Sequence, residues 1–176
     1  MIPEKIETTR GRLLLRYFTE ADTQTVYDIW CNPANARFMD APRSLEEVRE
    51  LADWQNGAIQ HSTNKDIMCH FRVVTLKETG EVIGTCRWHF KKEGREMGFG
   101  YNLAEKVWGR GYATELLETI IDLAKKCEVK KLIGGADKEN VASWHILGKY
   151  MNFVGEENYT ESDGRVVVDR NYELNF

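Results

Sequence analysis

One mixed, mostly antiparallel central sheet flanked by helices, an α/β (α+β) fold, is what this sequence predicts. Three observations predict it. Alternating apolar residues broken by short glycine turns fill residues 67–103 and again 153–174, the pattern of antiparallel hairpins. Between two strand-like runs stands a strong amphipathic helix, with Ala113, Leu116, Leu117, Ile120, Ile121 and Ala124 on one face and Glu118, Thr119, Asp122 and Lys125 on the other. A strand–helix–strand passage of this kind brings in a parallel neighbour. Finally, 176 residues without linker, repeat or low-complexity segment read as a single domain over 1–176, long enough to bury a sizeable core.

Residues 9–18, centred on Leu13-Leu14-Leu15, form the first strand. Thr19, with Asp22 three residues on, caps a helix that carries Val26, Ile29 and Trp30 and ends at Asn32-Pro33. After a loop through Phe38-Met39-Asp40-Ala41-Pro42, Ser44-x-x-Glu47 is a capping box for a second helix. Its apolar face is Leu45, Val48, Leu51 and Ala52, and Gly57 weakens its far end. Strands follow at 67–76, 82–90 and 95–103, joined by turns at Glu78-Thr79-Gly80 and Lys92-Glu93-Gly94. Beyond the amphipathic helix come a strand at 129–134, a short helix at 140–150, and a last hairpin, 153–160 with 166–174, across Ser162-Asp163-Gly164.

Composition excludes several classes. A net charge of −4 argues against general nucleic-acid binding. No apolar run approaches the roughly 20 residues of a membrane span, and the opening Met1-Ile-Pro-Glu-Lys-Ile lacks a signal-peptide pattern. Cys31, Cys69, Cys86 and Cys127 are scattered without a Cys-x-x-Cys pair, so reduced thiols and a cytoplasmic location are expected. His61, His70, His89 and His145 show no metal-ligand spacing, and no metal is expected. Charge is uneven along the chain. Residues 20–54 hold Glu20, Asp22, Asp28, Asp40, Glu46, Glu47, Glu50 and Asp53 against three arginines, which would draw a cationic substrate. Arg87, Lys91, Lys92, Arg95, Lys106 and Arg110 make a basic middle suited to an anionic cofactor; the alternative for both is a solvated face.

The chain is organised around Val107-Trp108-Gly109-Arg110-Gly111-Tyr112-Ala113-Thr114-Glu115, the turn between the strand at 95–103 and the amphipathic helix. Glycine permits a tight bend and close approach of a ligand. A helix start presents unpaired N–H groups and a dipole that favours negative charge. With Arg110 between the glycines, the stretch reads as a phosphate cradle; the other reading is a tight turn without a ligand. A P-loop is excluded, because Gly-x-x-x-x-Gly-Lys-Ser/Thr is absent, and a dinucleotide fingerprint would need a glycine where Thr114 stands.

Lys106-x-x-Gly109-x-Gly111 resembles the Gln/Arg-x-x-Gly-x-Gly/Ala signature of the GNAT acyl-CoA N-acyltransferases. The resemblance covers nearly the whole chain and is closest to the branch that contains the ribosomal-protein N-terminal acetyltransferases. Thr9-x-x-Arg12-Leu13-Leu14-Leu15-Arg16 is similar to that branch's opening strand, and Gly98-Phe99-Gly100-Tyr101-Asn102-Leu103 to its fourth. Glu139-Asn140-Val141-Ala142-Ser143, Leu147-x-Lys149 and Phe153-Val154-Gly155-Glu156 are similar to its last helix and the next strand. Lys106 departs from Gln/Arg, and Met151 stands where a glycine is usual.

The resemblance implies a GNAT fold, acetyl-CoA as co-substrate, and direct transfer of the acetyl group to a primary amine without an enzyme nucleophile. The pyrophosphate would lie on the backbone of Gly109, Arg110, Gly111, Tyr112 and Ala113. The pantetheine arm would run along Tyr101, Asn102 and Leu103, with Asn140 and Lys149 as further cofactor contacts. Gly98 and Gly100 share one strand face and leave room for a close approach, a bulge or tight packing. Many GNAT enzymes carry a tyrosine seven residues after the asparagine; here that position is Leu147, and the branch resemblance implies Ser143 as the group beside the thiol. The local alternative is that Asn140 caps the helix and Ser143 bonds its own backbone. Glu96, on the same strand face as Gly98, is the candidate proton acceptor, although the family places its acid nearer position 98. His89 and His145 are rivals by pKa, and a solvated Glu96 paired with Arg95 or Arg87 is the alternative. The acceptor implied is the α-amine of a protein or peptide; polyamines, amino acids and aminoglycosides remain open, as does a non-catalytic module that binds acyl-CoA. Residues 32–66 usually shape the acceptor side in this family. A monomer or homodimer is expected.

Overall fold

The computed structural model describes residues 2–39, 41–42, 44–50, 52–53, 69–161 and 164–176. Its eight strands form one sheet in the order β1-β2-β3-β4-β5-β6-β8-β7. They are β1 (Ile6–Glu7), β2 (Leu13–Arg16), β3 (Cys69–Leu76), β4 (Val82–Lys91), β5 (Glu96–Leu103), β6 (Lys131–Asp137), β7 (Asn152–Thr160) and β8 (Val166–Asn175). Every neighbouring pair is antiparallel except β5 with β6. The fold expected from the sequence is therefore observed. The strand expected at 9–18 is confined to Leu13–Arg16, and a short strand not expected, β1, precedes it: Gly11 turns the chain at a φ of +71° and folds β1 back on β2. The expected helix starts are present. Asp22 accepts the Thr19 N–H at 2.8 Å ahead of α1 (Thr23–Cys31), and Ser44 Oγ accepts the Glu47 N–H at 3.2 Å before the helical residues 45–50 and 52–53. Pro33 does more than end α1. It opens a short helix, α2 (Pro33–Ala36), capped by Asn32. Leu51, Gly57, residues 67–68 and Ser162-Asp163 lie outside the described residues.

The amphipathic stretch forms α3 (Tyr112–Lys126). Leu116, Leu117, Ile120, Ile121, Leu123 and Ala124 are buried, each Leu or Ile contributing roughly 1.5–3 kcal/mol. Two polar residues break the periodic reading, for Glu115 and Thr119 are also buried. Thr119 was expected on the outer face; its hydroxyl instead accepts the Thr9 N–H at 3.1 Å and donates to the Glu115 carbonyl at 2.8 Å. The last helix, α4 (Val141–Tyr150), ends in Met151 at a φ of −129°, an extended residue, so no glycine is required there.

The helices lie on opposite faces. Trp30 of α1 donates its indole N–H to Thr85 of β4 at 3.1 Å. In the β4/β5 register Thr85 shares its face with Asn102, Gly100, Gly98 and Glu96. The other face carries Met97, Phe99 and Tyr101, and it meets α4: a Cβ on Gly134 would touch Phe99 at 2.7 Å and Leu147 at 3.3 Å.

That second face also buries His70 and Arg72 of β3, which are 3% and 0% exposed. The Arg72 guanidinium lies 3.6 Å from the Tyr17 ring centre and 5.5 Å from that of Trp88, and His70 stacks on Trp88 at 5.3 Å. Burial, with Arg72 nearby, lowers the His70 pKa to about 4. An unfolded histidine titrates near 6.5, so between those values the unfolded chain binds the extra proton. Stability from this group is complete above pH 6.5 and is lost as pH falls towards 4. The expected loss from His70 between pH 7 and pH 5 is about 2 kcal/mol, read as a lower urea midpoint. His70→Phe should shrink that pH dependence by the same amount; an unchanged dependence would show that His70 does not cause it.

Candidate active site

The sheet opens where its strands run parallel. β5 and β6 pair only at Glu96↔Lys131, Met97↔Leu132 and Gly98↔Ile133. Beyond Gly98, β5 continues to Leu103 and β6 to Asp137 without pairing with each other, so the two strands part in a V whose apex is Gly98. Among the described residues, main-chain groups of β5 on that side have no ladder partner. An extended ligand can occupy such an edge as an added strand. The carbonyl of Leu103 is already engaged, accepting from Trp108 Nε1 at 2.8 Å and Asn35 Nδ2 at 3.1 Å.

At the open end of β5 the chain makes the glycine turn. Gly109 and Gly111 have φ of +75° and +77°, the left-handed region that glycine adopts without strain. No atom stands within 4 Å of a Cβ built at Gly109, and residues 108–111 are exposed. Gly111 caps α3, whose first N–H groups lack helical partners. An anion fits this place sterically and electrically.

A clasp fixes the turn. Buried Glu115 accepts from the Arg12 N–H at 3.1 Å, from Arg12 Nε at 2.7 Å and from the Thr8 hydroxyl. Arg12 Nη1 then donates to the Arg110 carbonyl at 3.0 Å, and the guanidinium lies 4.6 Å from the centre of the Tyr112 ring. One ion pair thus ties the start of β2 to the turn and the first turn of α3. Sequence reasoning treated Arg12 and Glu115 as pattern residues only. The one available signal was a carboxylate at the edge of an apolar helix face. Lys106, the departure from the family signature, is paired with Glu81 rather than aimed at the turn.

Inside the V, Tyr101 and Ser143 come together, with Oη and Oγ 3.2 Å apart. Asn140 Oδ1 accepts the Ser143 N–H at 3.2 Å, so Asn140 does cap α4, and the cap is what presents Ser143 to the gap. Burial raises the Tyr101 pKa, opposed by its bond to Ser143. The pair is therefore neutral and able to pass a proton. The Tyr101 hydroxyl was missed because the sequence marked that residue only for its backbone. Asn102 turns to the other face, its amide 2.8 Å from Met39 Sδ and its Oδ1 buried without a partner among the described residues. Lys149 is exposed in the last turn of α4, beside Tyr150, which donates to Glu118 of α3 at 2.7 Å.

The proton-acceptor candidates are not brought to this pair. Glu96 lies five residues before Tyr101, about 17 Å along the strand. It bonds Lys92 Nζ at 2.9 Å, and that bond holds its carboxyl below the usual range. An ion-paired carboxylate of low pKa is a poor base. His145 is exposed on α4. The glycines of β5 make no bulge, since the β4/β5 register is unbroken. Several acids expected to attract a cation are neutralised: Asp22 holds Arg16 through two bonds of 2.8 Å, and Glu20 and Glu46 share Arg49. Among the described residues no cluster of His, Cys, Asp or Glu forms a metal site, and the four cysteines are free thiols. No described helix is long and apolar enough to cross a membrane.

A mixed sheet parted at its one parallel pair, with an open glycine turn at the mouth and a hydroxyl pair in the gap, is the frame of an acyltransferase. Residues 12–150 match the acetyltransferase (GNAT) domain, and the chain belongs to that family. Among curated relatives it is 25% identical over 164 residues to the uncharacterized N-acetyltransferase p20 of Bacillus licheniformis, covering 89% of this chain and 88% of the relative. A GNAT-family acetyltransferase from Bacillus anthracis superposes with a TM-score of 0.81 at 18% identity, over 97% of this chain and 98% of that one. RimL, the ribosomal L7/L12 α-N-protein acetyltransferase solved with coenzyme A, gives 0.81 at 18% identity over 98% of both chains. These structural likenesses show the fold.

Proposed function

We propose that the protein transfers the acetyl group of acetyl-CoA directly to a primary amine, the α-amine of a protein or peptide. The observation that carries the reading is the clasped glycine turn at the mouth of the V, which offers a fixed anion site in line with an unpaired strand edge. Gly109 to Ala113 hold the pyrophosphate, the arm runs along β5 from Asn102 towards Gly98, and the Tyr101–Ser143 pair protonates the leaving thiolate. RimL, described as an α-N-protein acetyltransferase, supports the choice of an α-amine by its shared fold. A second feature agrees with a peptide acceptor. A cavity of about 440 Å³ lies between Arg37-Phe38 and Val166-Val167, with Asp137 and Glu139 on its wall. Asp137 is four residues beyond the last β5/β6 pair, about 13 Å from the apex. An extended chain would span that distance, whereas a small amine would not.

The test is thiol release from acetyl-CoA with a panel of peptides, polyamines, amino acids and aminoglycosides. Release that depends on a peptide amine supports the reading. Binding of coenzyme A without release on any amine would leave a binding module. Ser143→Ala is expected to lower kcat about tenfold with little change in KM for acetyl-CoA, because the donor acts on charge that develops in the transition state. Thiolates leave more easily than alkoxides, so the loss is smaller than for an oxyanion donor. An unaltered kcat would confine Ser143 to the helix start.

A further inference from the structure

We propose that His89 is the proton acceptor, its imidazole seated in the space left by the missing side chain of Gly98 at the apex of the V. This rests on the acetyl-transfer reading. The register places His89 directly opposite Gly98, on one face, and Gly98 is also the last residue of β5 to pair with β6. The contact is close: a Cβ on Gly98 would stand 2.5 Å from His89 Cε1 and 2.6 Å from Nε2. Any residue but glycine at 98 would therefore push the ring away. The ring lies on the face of Gly98, Gly100 and Asn102, opposite to the face that carries Tyr101 and Ser143. An amine can thus lose its proton on one side of the gap while the thiolate gains one on the other.

The surroundings suit the task. His89 is half-buried, and among the described residues its ring nitrogens make no hydrogen bond. Burial lowers its pKa, and Lys91 and Arg87 on its own strand add to the effect. The ring is neutral at pH 7 and its lone pair is open. On β3 its neighbour is Cys69, a thiol whose pKa is raised by burial. On β5 the nearest charge is Glu96, held by Lys92 and beside Lys131 of β6, and Ile133 of β6 faces Gly98. Among the described residues no carboxylate contacts the ring to hold it protonated.

The step balances. The ammonium of the acceptor gives its first proton to the imidazole, which passes it to water, and the neutral amine nitrogen bonds the thioester carbon. The nitrogen then gives its second proton to the imidazole as the C–S bond breaks, which leaves the amide. The thiolate takes a proton from the Ser143–Tyr101 pair. The imidazolium returns its proton to water, and the hydroxyl pair regains one from water, so that one proton is released per turnover.

Four variants test this: His89→Gln, Gly98→Ala, His89→Ala, and the double variant His89→Ala with Gly98→Glu, which sends a carboxylate into the same space. General-base removal typically costs about 10²-fold or more. The expected result is a loss of kcat of that order in His89→Gln and Gly98→Ala, with Kd for coenzyme A within about threefold of wild type. The acid limb of the kcat–pH profile, with an apparent pKa below 6.5, should vanish in His89→Gln. The double variant should recover at least tenfold over His89→Ala alone. Wild-type kcat and an unchanged acid limb in His89→Gln would overturn the proposal while leaving the acetyltransferase intact. Absence of turnover in the wild type on every amine would instead overturn the reading beneath it. If His89→Gln fails to fold, Gly98→Ala decides by the same readouts.

Discussion

Gly111→Asp is expected to weaken the binding of acetyl-CoA by about 30- to 10³-fold. A carboxylate placed about 4 Å from a phosphate, at an effective dielectric of roughly 20 to 40, costs about 2–4 kcal/mol. The backbone there has a φ of +77°, and Asp and Asn tolerate that region better than other side chains. Gly111→Asn is therefore the control, with the same shape and no charge. Its affinity for coenzyme A should stay within about tenfold of wild type, with both variants folded by circular dichroism. Equal affinities in the two variants would show that no phosphate lies at the turn.

The second large effect is expected from Glu115→Ala. Its carboxylate is fully buried and accepts three hydrogen bonds, two of them from Arg12. Removing one partner of a buried pair typically costs 3–5 kcal/mol. Arg12 keeps a partly exposed side chain, 41% accessible, so about 3 kcal/mol is the better figure here. The urea midpoint should fall accordingly, and affinity for coenzyme A should fall with it, because the Arg110 carbonyl loses its fixed donor. Glu115→Gln, which keeps the shape and one acceptor oxygen, should lie between. A stability loss below about 0.5 kcal/mol in the alanine variant would mean that the clasp does not hold the turn.

The strands were legible because their signals are local. Lys92-Glu93-Gly94 is a turn in sequence and in space, three successive residues with φ of 50°, 57° and 83°. The strand expected to end at Gly134 runs on to Asp137, since Gly134 and Gly135 weaken the strand pattern although the β8 ladder continues past them. Thr119 was misjudged, and the burial of Glu115 went unread, for a different reason. Periodicity assigns polar residues to water, and only the partners Thr8, Thr9 and Arg12, more than a hundred residues away, bring these two inside. The glycine turn, Asn140 and Ser143 were legible as motifs with fixed spacing. The places of the proton-acceptor candidates were not. Parity along β5 puts Glu96 on the face of Gly98, as observed, but its distance from the gap depends on where β6 departs, and His89 was singled out by its pKa alone. The pairing of His89 with Gly98 depends on a register that no local pattern states.

Acetylation of an α-amine is the central claim, and mirror peptides measure it directly. An α-amine with a pKa of roughly 7.7–8 is about a tenth or more neutral at pH 7, whereas a lysine amine near 10.4 is neutral at about one part in several thousand. A neutral imidazole of lowered pKa is a mild base, sufficient for the first amine and poor for the second. One peptide carries a free N-terminus and blocked lysines, the other a blocked N-terminus and free lysines. Both compete for limiting acetyl-CoA, and the products are counted by mass spectrometry. The account predicts that acetyl groups collect on the first peptide by at least tenfold; faster acetylation of the second would contradict it.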